Sequence, residues 1–227
     1  IRDRFNLLTV YPEFFESFKS HGLIKKGLDR GLISMNVINL RDYTSDKHKR
    51  VDFKPFGGGP GMIIQYGPVK EALKEVKPSK TILLSPQGKL LTQSKLNELS
   101  AENSITFICG RYEGFDERAL ELHKIPELSL GDFILSGGEI AAQVLIDSVV
   151  RLIPHVIGNH KSLEEESFTN YLLEYPQYTK PISWKNLSIP NKLLSGHHQN
   201  IKKWRLKKSE ELTKQRRPDL WKKYKSK

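Results

Sequence analysis

The sequence predicts an α/β protein with a mostly parallel sheet, followed by a small all-helical domain with a basic surface. Three observations support this prediction. Short apolar runs rich in branched residues alternate with helical segments over the first two thirds of the chain. Glycine-rich turns follow several of these runs, and the excess of positive charge is confined to the last quarter. Alternating strands and helices are typical of a parallel sheet, and the change in charge indicates a second domain.

The predicted strands are apolar runs bounded by turn residues. They cover 5–10, 32–40, 81–85, 105–109 and 128–135, the last with an internal glycine. The predicted helices lie between them: one opening at Pro12, then 68–76, 92–100, 115–123 and 139–153. Apolar residues surround most of the circumference of the 139–153 helix, so we expect it to be deeply buried.

Charge and turn residues divide the chain into three parts: a 1–156 α/β domain, a 157–170 linker and a 171–227 basic domain. Residues 1–170 carry 22 basic and 22 acidic side chains, whereas residues 171–227 carry 15 basic and 4 acidic ones. In the last part, Ser195 is a candidate cap for a helix over 197–213, and Asp219 for a short terminal helix.

A neutral body with a cationic domain indicates a polyanionic partner, and nucleic acid is the first candidate. Aromatic residues are interleaved with the basic ones, which favours a folded basic surface over a disordered arm. These aromatic residues are Trp184, Trp204, Trp221 and Tyr224.

Several classes of protein and site are disfavoured. No apolar run approaches the length of a membrane span, and no secretory signal pattern opens the chain, so we expect a cytoplasmic protein without a membrane partner. The single Cys109 cannot form an intramolecular disulfide. No phosphate-binding GxxxxGK[ST] motif occurs, and no His/Cys constellation has metal-ligand spacing.

Glycine-rich turns at 85–89, 110–114 and 131–138 lie at or near the ends of predicted strands. Ligands of open α/β sheets bind outside the carboxyl ends of the strands, so these turns predict one pocket built largely from backbone groups. A fourth stretch, "FKPFGGGPGM" (53–62), is stiffened by two prolines and is therefore a poor flexible linker. Its composition leaves structural and functional interpretations equally open.

Eight motifs together resemble the bacterial tRNA (guanine-N1)-methyltransferases, the TrmD family. They occur in the family's order along nearly the whole chain: "FGGGPGM", "LLSPQG", "CGRYEGFDER", "GDFILSGGE", "LIDSVVRLIP", "LEYPQYTKP", "LLSGHH" and "KKWRLKKS". The resemblance implies a homodimeric enzyme that uses S-adenosylmethionine to methylate N1 of the guanine immediately 3′ of the tRNA anticodon. It also implies a SPOUT-type α/β domain whose C-terminal part forms a deep trefoil knot.

The same resemblance implies which residues form the sites. Cofactor-binding residues would be Leu84, Ser85, Pro86, Gly110, Tyr112, Glu113, Gly114, Leu130, Gly131, Asp132, Phe133, Ile134, Leu135, Gly137 and Gly138. Residues facing the target nucleotide would be His48, Arg50, Asp52, Gly57, Gly58 and Gly59. The basic domain would hold the anticodon stem-loop. Magnesium dependence is a further implication, although no magnesium site can be identified in the sequence.

Two residues are implied as catalytic. Guanine N1 carries a proton at neutral pH, and negative charge builds on O6 when this proton leaves, so a carboxylate and an arginine suit the reaction. Arg151 matches the family arginine. Glu166 stands where the family usually has aspartate, and we expect it to be the general base, with Glu165 as its nearest competitor. The extra methylene is a departure that could displace the carboxylate by about an ångström.

Two other functions remain as alternatives. The cationic domain and the departure at Glu166 suit a non-catalytic RNA-binding protein of the same fold. The glycine turns alone suit a small-molecule enzyme of nucleotide-binding α/β type.

Overall fold

A continuous run of buried residues forms β1 near the middle of a five-stranded parallel sheet. The computed structural model describes residues 5–76, 78–158 and 166–227, and the chain divides into two compact units, 1–158 and 159–227. The strands of the first unit are β1 (Phe5–Thr9), β2 (Met35–Asn39), β3 (Asp52–Phe53), β4 (Ile63–Ile64), β5 (Lys80–Leu90), β6 (Ile105–Cys109) and β7 (Glu127–Ser129).

The helices of this unit follow the strands in the order typical of α/β proteins. They are α1 (Glu16–Lys19), α2 (Gly22–Asp29), α3 (Tyr66–Glu75), α4 (Gln93–Ser100), α5 (Glu117–His123) and α6 (Gly138–Val150), with short 3₁₀ turns at Pro12–Phe15 and Leu40–Tyr43. The sheet order is β2-β1-β6-β5-β7, and every pairing in it is parallel. A separate two-stranded ladder joins β3 and β4.

Helices cover both faces of the sheet, which explains why its central strands are apolar without alternation. On one face, Leu7 and Phe107 pack with α6 residues such as Leu145. On the other face, Leu8 and Ile108 belong to a second cluster that includes α3 residues. Successive residues of a strand point to opposite faces, so each central strand contributes to both clusters.

The α/β fold class with a parallel sheet is confirmed. The strand predicted over 32–40 is shorter, Met35–Asn39, and two other predicted strands need larger corrections. The strand predicted over 128–135 is wrong beyond Ser129, where β7 ends. The Ser129 hydroxyl accepts a hydrogen bond from Gly131 N at 3.2 Å, and Phe133 N donates to Gly131 O at 3.0 Å, so the chain turns instead of extending. β5 is longer than the predicted 81–85 and runs to Leu90.

Three differences between the predicted and observed helices of the first unit are the largest. α2 was not predicted, α6 ends at Val150 and not at 153, and the segment opening at Pro12 is a 3₁₀ turn followed by the short α1. α4 begins at Gln93, one residue after the predicted start, because the Thr92 hydroxyl caps it and accepts a hydrogen bond from Lys95 N at 3.2 Å.

In its described residues, 166–227, the second unit contains a hairpin as well as helices, which corrects the prediction of an all-helical domain. Its elements are β8 (Ser183–Trp184), β9 (Leu187–Ser188), α7 (Asn191–Leu194), α8 (His198–Arg216) and α9 (Pro218–Lys225). Ser195 follows α7 instead of capping α8, whose N-cap is His197. Leu173 N donates to the buried Thr213 hydroxyl at 2.8 Å, which fastens the start of this unit to α8.

None of the helices in the described ranges is long and apolar enough to cross a membrane. The trefoil knot implied by the resemblance and the functional roles of the two units stay predictions.

Candidate functional site

A loop within β5 and the loops that follow β6 and β7 surround one cavity of about 450 Å³ in the first unit. Neighbouring parallel strands end at the same edge of a sheet, so the loops after them converge. The cavity includes every residue predicted to bind the cofactor except Asp132. This placement shows that the predicted residues form one pocket, while the role of each residue stays a prediction.

The first loop is an excursion within β5. Leu84 and Lys89 both pair with Leu128 of β7, so the four residues between them protrude from the ladder. Gln87 N donates to the Ser85 hydroxyl at 3.1 Å and shapes the protrusion. Gly88 closes the loop where a Cβ atom would overlap the backbone of Leu128, so only glycine fits without a shift.

The second loop, 110–114, is joined to the start of α6 by backbone contacts. Gly138 N donates to Gly110 O at 2.8 Å, and Gly114 N donates to Arg111 O at 3.1 Å. A Cβ on Gly138 would lie 2.8 Å from Cys109 Cα and 2.9 Å from Gly110 N. The absence of a side chain at 138 therefore allows the β6 turn and the α6 N-terminus to touch.

A buried ion pair underlies this contact. Arg111 Nε donates to Glu139 Oε2 at 2.9 Å, and the two side chains are 13% and 0% exposed. The other Glu139 oxygen accepts from the Thr9 hydroxyl at 2.7 Å. The Arg111 guanidinium also lies over the rings of Tyr11 and Phe14, at 4.8 and 4.9 Å from their centroids. The loop after β1 thus holds the loop after β6 in place.

Burial shifts the pKa of two groups near this pair. The pKa of the Cys109 thiol is raised well above its usual value, first by burial and then by the Glu139 charge. A protonated buried thiol is inert, and Cys109 packs in the hydrophobic core. The pKa of Tyr112 is raised by burial, by a hydrogen bond with Tyr11 and by the charge of Asp52.

The glycine loop lies against the rim of the cavity. Gly57, Gly58 and Gly59 have φ values of 86°, 80° and 118°, a region that side chains disfavour. At the end of the loop, Met62 O accepts from Glu113 N at 2.9 Å, and a Cβ on Gly61 would meet the Glu113 side chain at 2.5 Å. The stretch is therefore a shaped segment in contact with the second cavity loop.

The polar residues before the glycine loop have different surroundings. Arg50 binds the carboxylate of Asp46 through Nη2 at 2.9 Å and Nε at 3.2 Å, which lowers the pKa of Asp46. His48 is exposed, and its backbone N donates to Asp46 Oδ1 at 2.7 Å. Asp52 begins β3, and its charge contributes to the raised pKa of Tyr112. Asp52 is thus electrostatically linked to the cavity loop.

The two predicted catalytic residues belong to different units. Arg151 is half-buried at the end of α6, where its backbone N donates to Asp147 O at 3.3 Å. Glu166 is half-buried at the start of the described part of the second unit, and its carbonyl accepts from Thr169 N at 3.2 Å. Glu165, the competing carboxylate, lies outside the described residues.

Comparison with known proteins identifies the family. The family described as "tRNA (Guanine-1)-methyltransferase TrmD" matches residues 3–223. The chain belongs to this family. Its relatives include proteins named tRNA (guanine-N(1)-)-methyltransferase from Clostridium tetani, Pelagibacter ubique and Clostridium perfringens, at 50%, 52% and 46% identity. The alignments cover 97%, 96% and 98% of this chain and 93%, 97% and 94% of the respective relatives.

The TrmD-family assignment confirms the resemblance carried by the eight motifs, and the cavity loops coincide with three of them. Sequence reasoning missed several lining residues, among them Gln87, Arg111 and Ser129. Gln87 and Arg111 lie within the motifs "LLSPQG" and "CGRYEGFDER", so the motifs contained a signal for them. No motif pointed to Ser129, because the strand that it ends was predicted to continue to 135.

Proposed function

We propose that this protein transfers a methyl group from S-adenosylmethionine to N1 of the guanine immediately 3′ of the tRNA anticodon. The observation that carries the proposal is the family match over nearly the whole chain. The relatives' shared name, tRNA (guanine-N(1)-)-methyltransferase, supports the substrate and the position of the methyl group. An α/β fold alone would not support a specific reaction.

The cavity suits S-adenosylmethionine. Its volume of about 450 Å³ lies in the range of small-molecule sites. Apolar side chains such as Leu130 and Leu135 line it together with the backbone of three glycine-containing loops, a combination that fits an adenine ring and its polar edge. Glu113 and Glu117 also line the cavity, and their carboxylates suit a ligand with a cationic sulfonium. The bound cofactor would supply an activated methyl group.

Substitution of Gly138 with alanine tests this assignment of the cavity. The new Cβ would force apart the backbones of 109–110 and α6, so we expect the dissociation constant (Kd) for S-adenosylmethionine to rise at least about tenfold. Gly67→Ala is the matched control, because Gly67 also lies in the first turn of a helix and nothing is within 4 Å of its added Cβ. Isothermal titration calorimetry measures the Kd for S-adenosylmethionine of both variants. Equal affinities would contradict a cofactor site between these loops.

We assign the proton transfer to Glu166 and the stabilisation of O6 to Arg151. The carboxylate takes the proton from guanine N1, and the N1 lone pair then forms a bond to the methyl carbon as the carbon–sulfur bond breaks. The electron pair of that bond stays on sulfur. The guanidinium offsets the negative charge that develops on O6. Among the described residues, no group of three or more His, Cys, Asp or Glu side chains could hold a metal ion, so magnesium dependence stays a prediction.

The glycine loop is assigned to the target base. A guanine must leave its stack before its N1 can be reached, at a cost of a few kcal/mol. A loop of four consecutive small or cyclic residues, Gly57 to Pro60, offers a flat surface for a purine beside the cavity rim. His48, Arg50 and Asp52, which precede this loop, are assigned to the same nucleotide.

We further propose a homodimer formed through the exposed face of α6. Ile140 and Val144 lie one turn apart on this helix, and both are nearly half exposed. Phe14 is also exposed, and its carbonyl accepts from the Gln143 side chain of α6 at 2.7 Å. An apolar face on a helix next to the cavity suits a second copy of the chain, in line with the family's implied dimer with shared active sites.

Binding of tRNA should depend steeply on salt, because the basic domain would contact phosphates. If six phosphates are neutralised, the Kd for tRNA should rise about a thousandfold between 50 and 200 mM salt. Filter binding measures this dependence. The Kd for S-adenosylmethionine serves as the internal control, since its proposed site lies in the neutral part of the chain. A rise below about tenfold for tRNA would contradict phosphate binding as the main source of affinity.

Methyl transfer from labelled S-adenosylmethionine to an unmodified tRNA transcript tests the function itself. Incorporation of label into tRNA supports the proposal. Salt-sensitive tRNA binding without incorporation would instead support the alternative of a non-catalytic RNA-binding protein.

A further inference from the structure

A two-stranded hairpin projects apolar side chains from the second unit. Ser183 pairs with Ser188 and Trp184 with Leu187, and the turn consists of Lys185 and Asn186, whose φ values are 48° and 64°. Positive φ at both central residues is the signature of the tight turn that matches the twist of a hairpin. The tip residues Trp184 and Leu187 therefore lie opposite each other on the two strands.

Trp184, at the tip of the hairpin, is more exposed than the other two tryptophans, Trp204 and Trp221. Trp184 is 68% exposed and its cross-strand neighbour Leu187 is 76% exposed, whereas Trp204 is 9% exposed and contacts the ring of Tyr178. The Lys185 ammonium lies 5.6 Å from the centre of the Trp184 ring. An indole with an open face and an adjacent cation has the two groups that contact a nucleobase and its phosphate.

The charge around the hairpin favours a nucleic acid over a protein. Residues 175–209 contain eight lysines and arginines and no aspartate or glutamate. If the hairpin contacted the same hairpin of a second copy in a symmetric dimer, two cationic surfaces would meet without acidic partners. An RNA supplies both the negative charge and flat bases.

We infer that the hairpin is an RNA contact in which the Trp184 ring stacks on an unpaired base of the tRNA and Lys185 binds a neighbouring phosphate. This inference rests on the proposed function, because it takes tRNA as the partner. It adds a base contact to the phosphate contacts expected of the basic domain. Stacking tolerates any base, so the contact contributes affinity and position without reading sequence.

The experiment compares three variants of the full chain in tRNA binding. Trp184→Ala should raise the Kd for tRNA about tenfold or more, since stacking on one base is worth about that factor. Trp184→Phe retains an aromatic ring, so its Kd for tRNA should stay within about threefold of that of the unmodified chain. Leu122→Ala, which removes an exposed apolar side chain from α5, is the control and should leave the Kd unchanged.

Two further measurements separate the interpretations. Binding of tRNA should quench the tryptophan fluorescence of the unmodified chain, and Trp184→Phe should lose most of this quenching. An unchanged Kd for Trp184→Ala would overturn the inference, as would a change in oligomeric state of Trp184→Ala in sedimentation velocity without a change in tRNA binding. Methyl transfer by the unmodified chain is assayed in parallel, since its absence would contradict the proposed function and not the hairpin contact.

Discussion

Replacing Glu166 with alanine should lower the rate of methyl transfer at least about 100-fold, because a general base contributes about 10²- to 10⁴-fold. The proton on guanine N1 would then have no carboxylate to accept it. The Kd for S-adenosylmethionine should stay within about twofold, since the cavity is built from loops of the first unit and Glu166 belongs to the second. Single-turnover transfer and calorimetry measure the two quantities separately.

The neighbouring carboxylates supply the controls for this prediction. Glu166→Asp restores the side chain usual in the family and should keep transfer within about tenfold of the unmodified chain. Glu165→Ala should have a small effect. Retained activity in Glu166→Ala, together with its loss in Glu165→Ala, would identify Glu165 as the base and contradict the present assignment.

Replacing Glu139 with alanine should lower the free energy of unfolding by about 3–5 kcal/mol. Glu139 is fully buried and pairs with Arg111, which is 13% exposed, so the substitution leaves a guanidinium with little access to water and no carboxylate beside it. The Thr9 hydroxyl would lose its acceptor as well. Urea denaturation measures the change.

An exposed ion pair is the control for Glu139. Lys25 and Asp29 pair on α2 with side chains 53% and 60% exposed, and Asp29→Ala should change the free energy of unfolding by less than about 1 kcal/mol. The double variant Arg111→Met, Glu139→Leu should recover much of the stability, because no charge then remains buried. A loss below about 1 kcal/mol in Glu139→Ala would show that the buried pair does not hold the cavity loop.

Local sequence patterns predicted some elements well and others poorly, for physical reasons. β6 has the predicted bounds because four apolar residues and Thr106 form a short run between clear turns. β5 pairs with β7 up to Leu84 and again from Lys89, after four residues that protrude from the sheet. The protruding residues interrupt the alternation of side chains, so the sequence pattern does not show that the strand continues. α2 was missed because Gly22 and Gly27 weaken its helical pattern, although a Cβ on Gly27 would lie only 3.0 Å from the Ile33 side chain.

The candidate site was predictable to the extent that it is built from short motifs. The glycine turns predicted one backbone-lined pocket, and the structure brings them together. The side-chain contacts that support the pocket were not predictable. Thr9 and Glu139, for example, are 130 positions apart in the sequence and meet only in the folded chain. The same holds for the link between Tyr11 and Tyr112. The hairpin at Trp184 was missed because each of its strands has only two residues.

The position of the methyl group is the most direct test of the central claim. An unmodified tRNA with guanine 3′ of the anticodon is incubated with the protein and S-adenosylmethionine, digested to nucleosides and fragments, and examined by mass spectrometry. We expect 1-methylguanosine at that position, and no product when adenosine replaces this guanosine. A methyl group on another atom or nucleotide, or none at all, would contradict it.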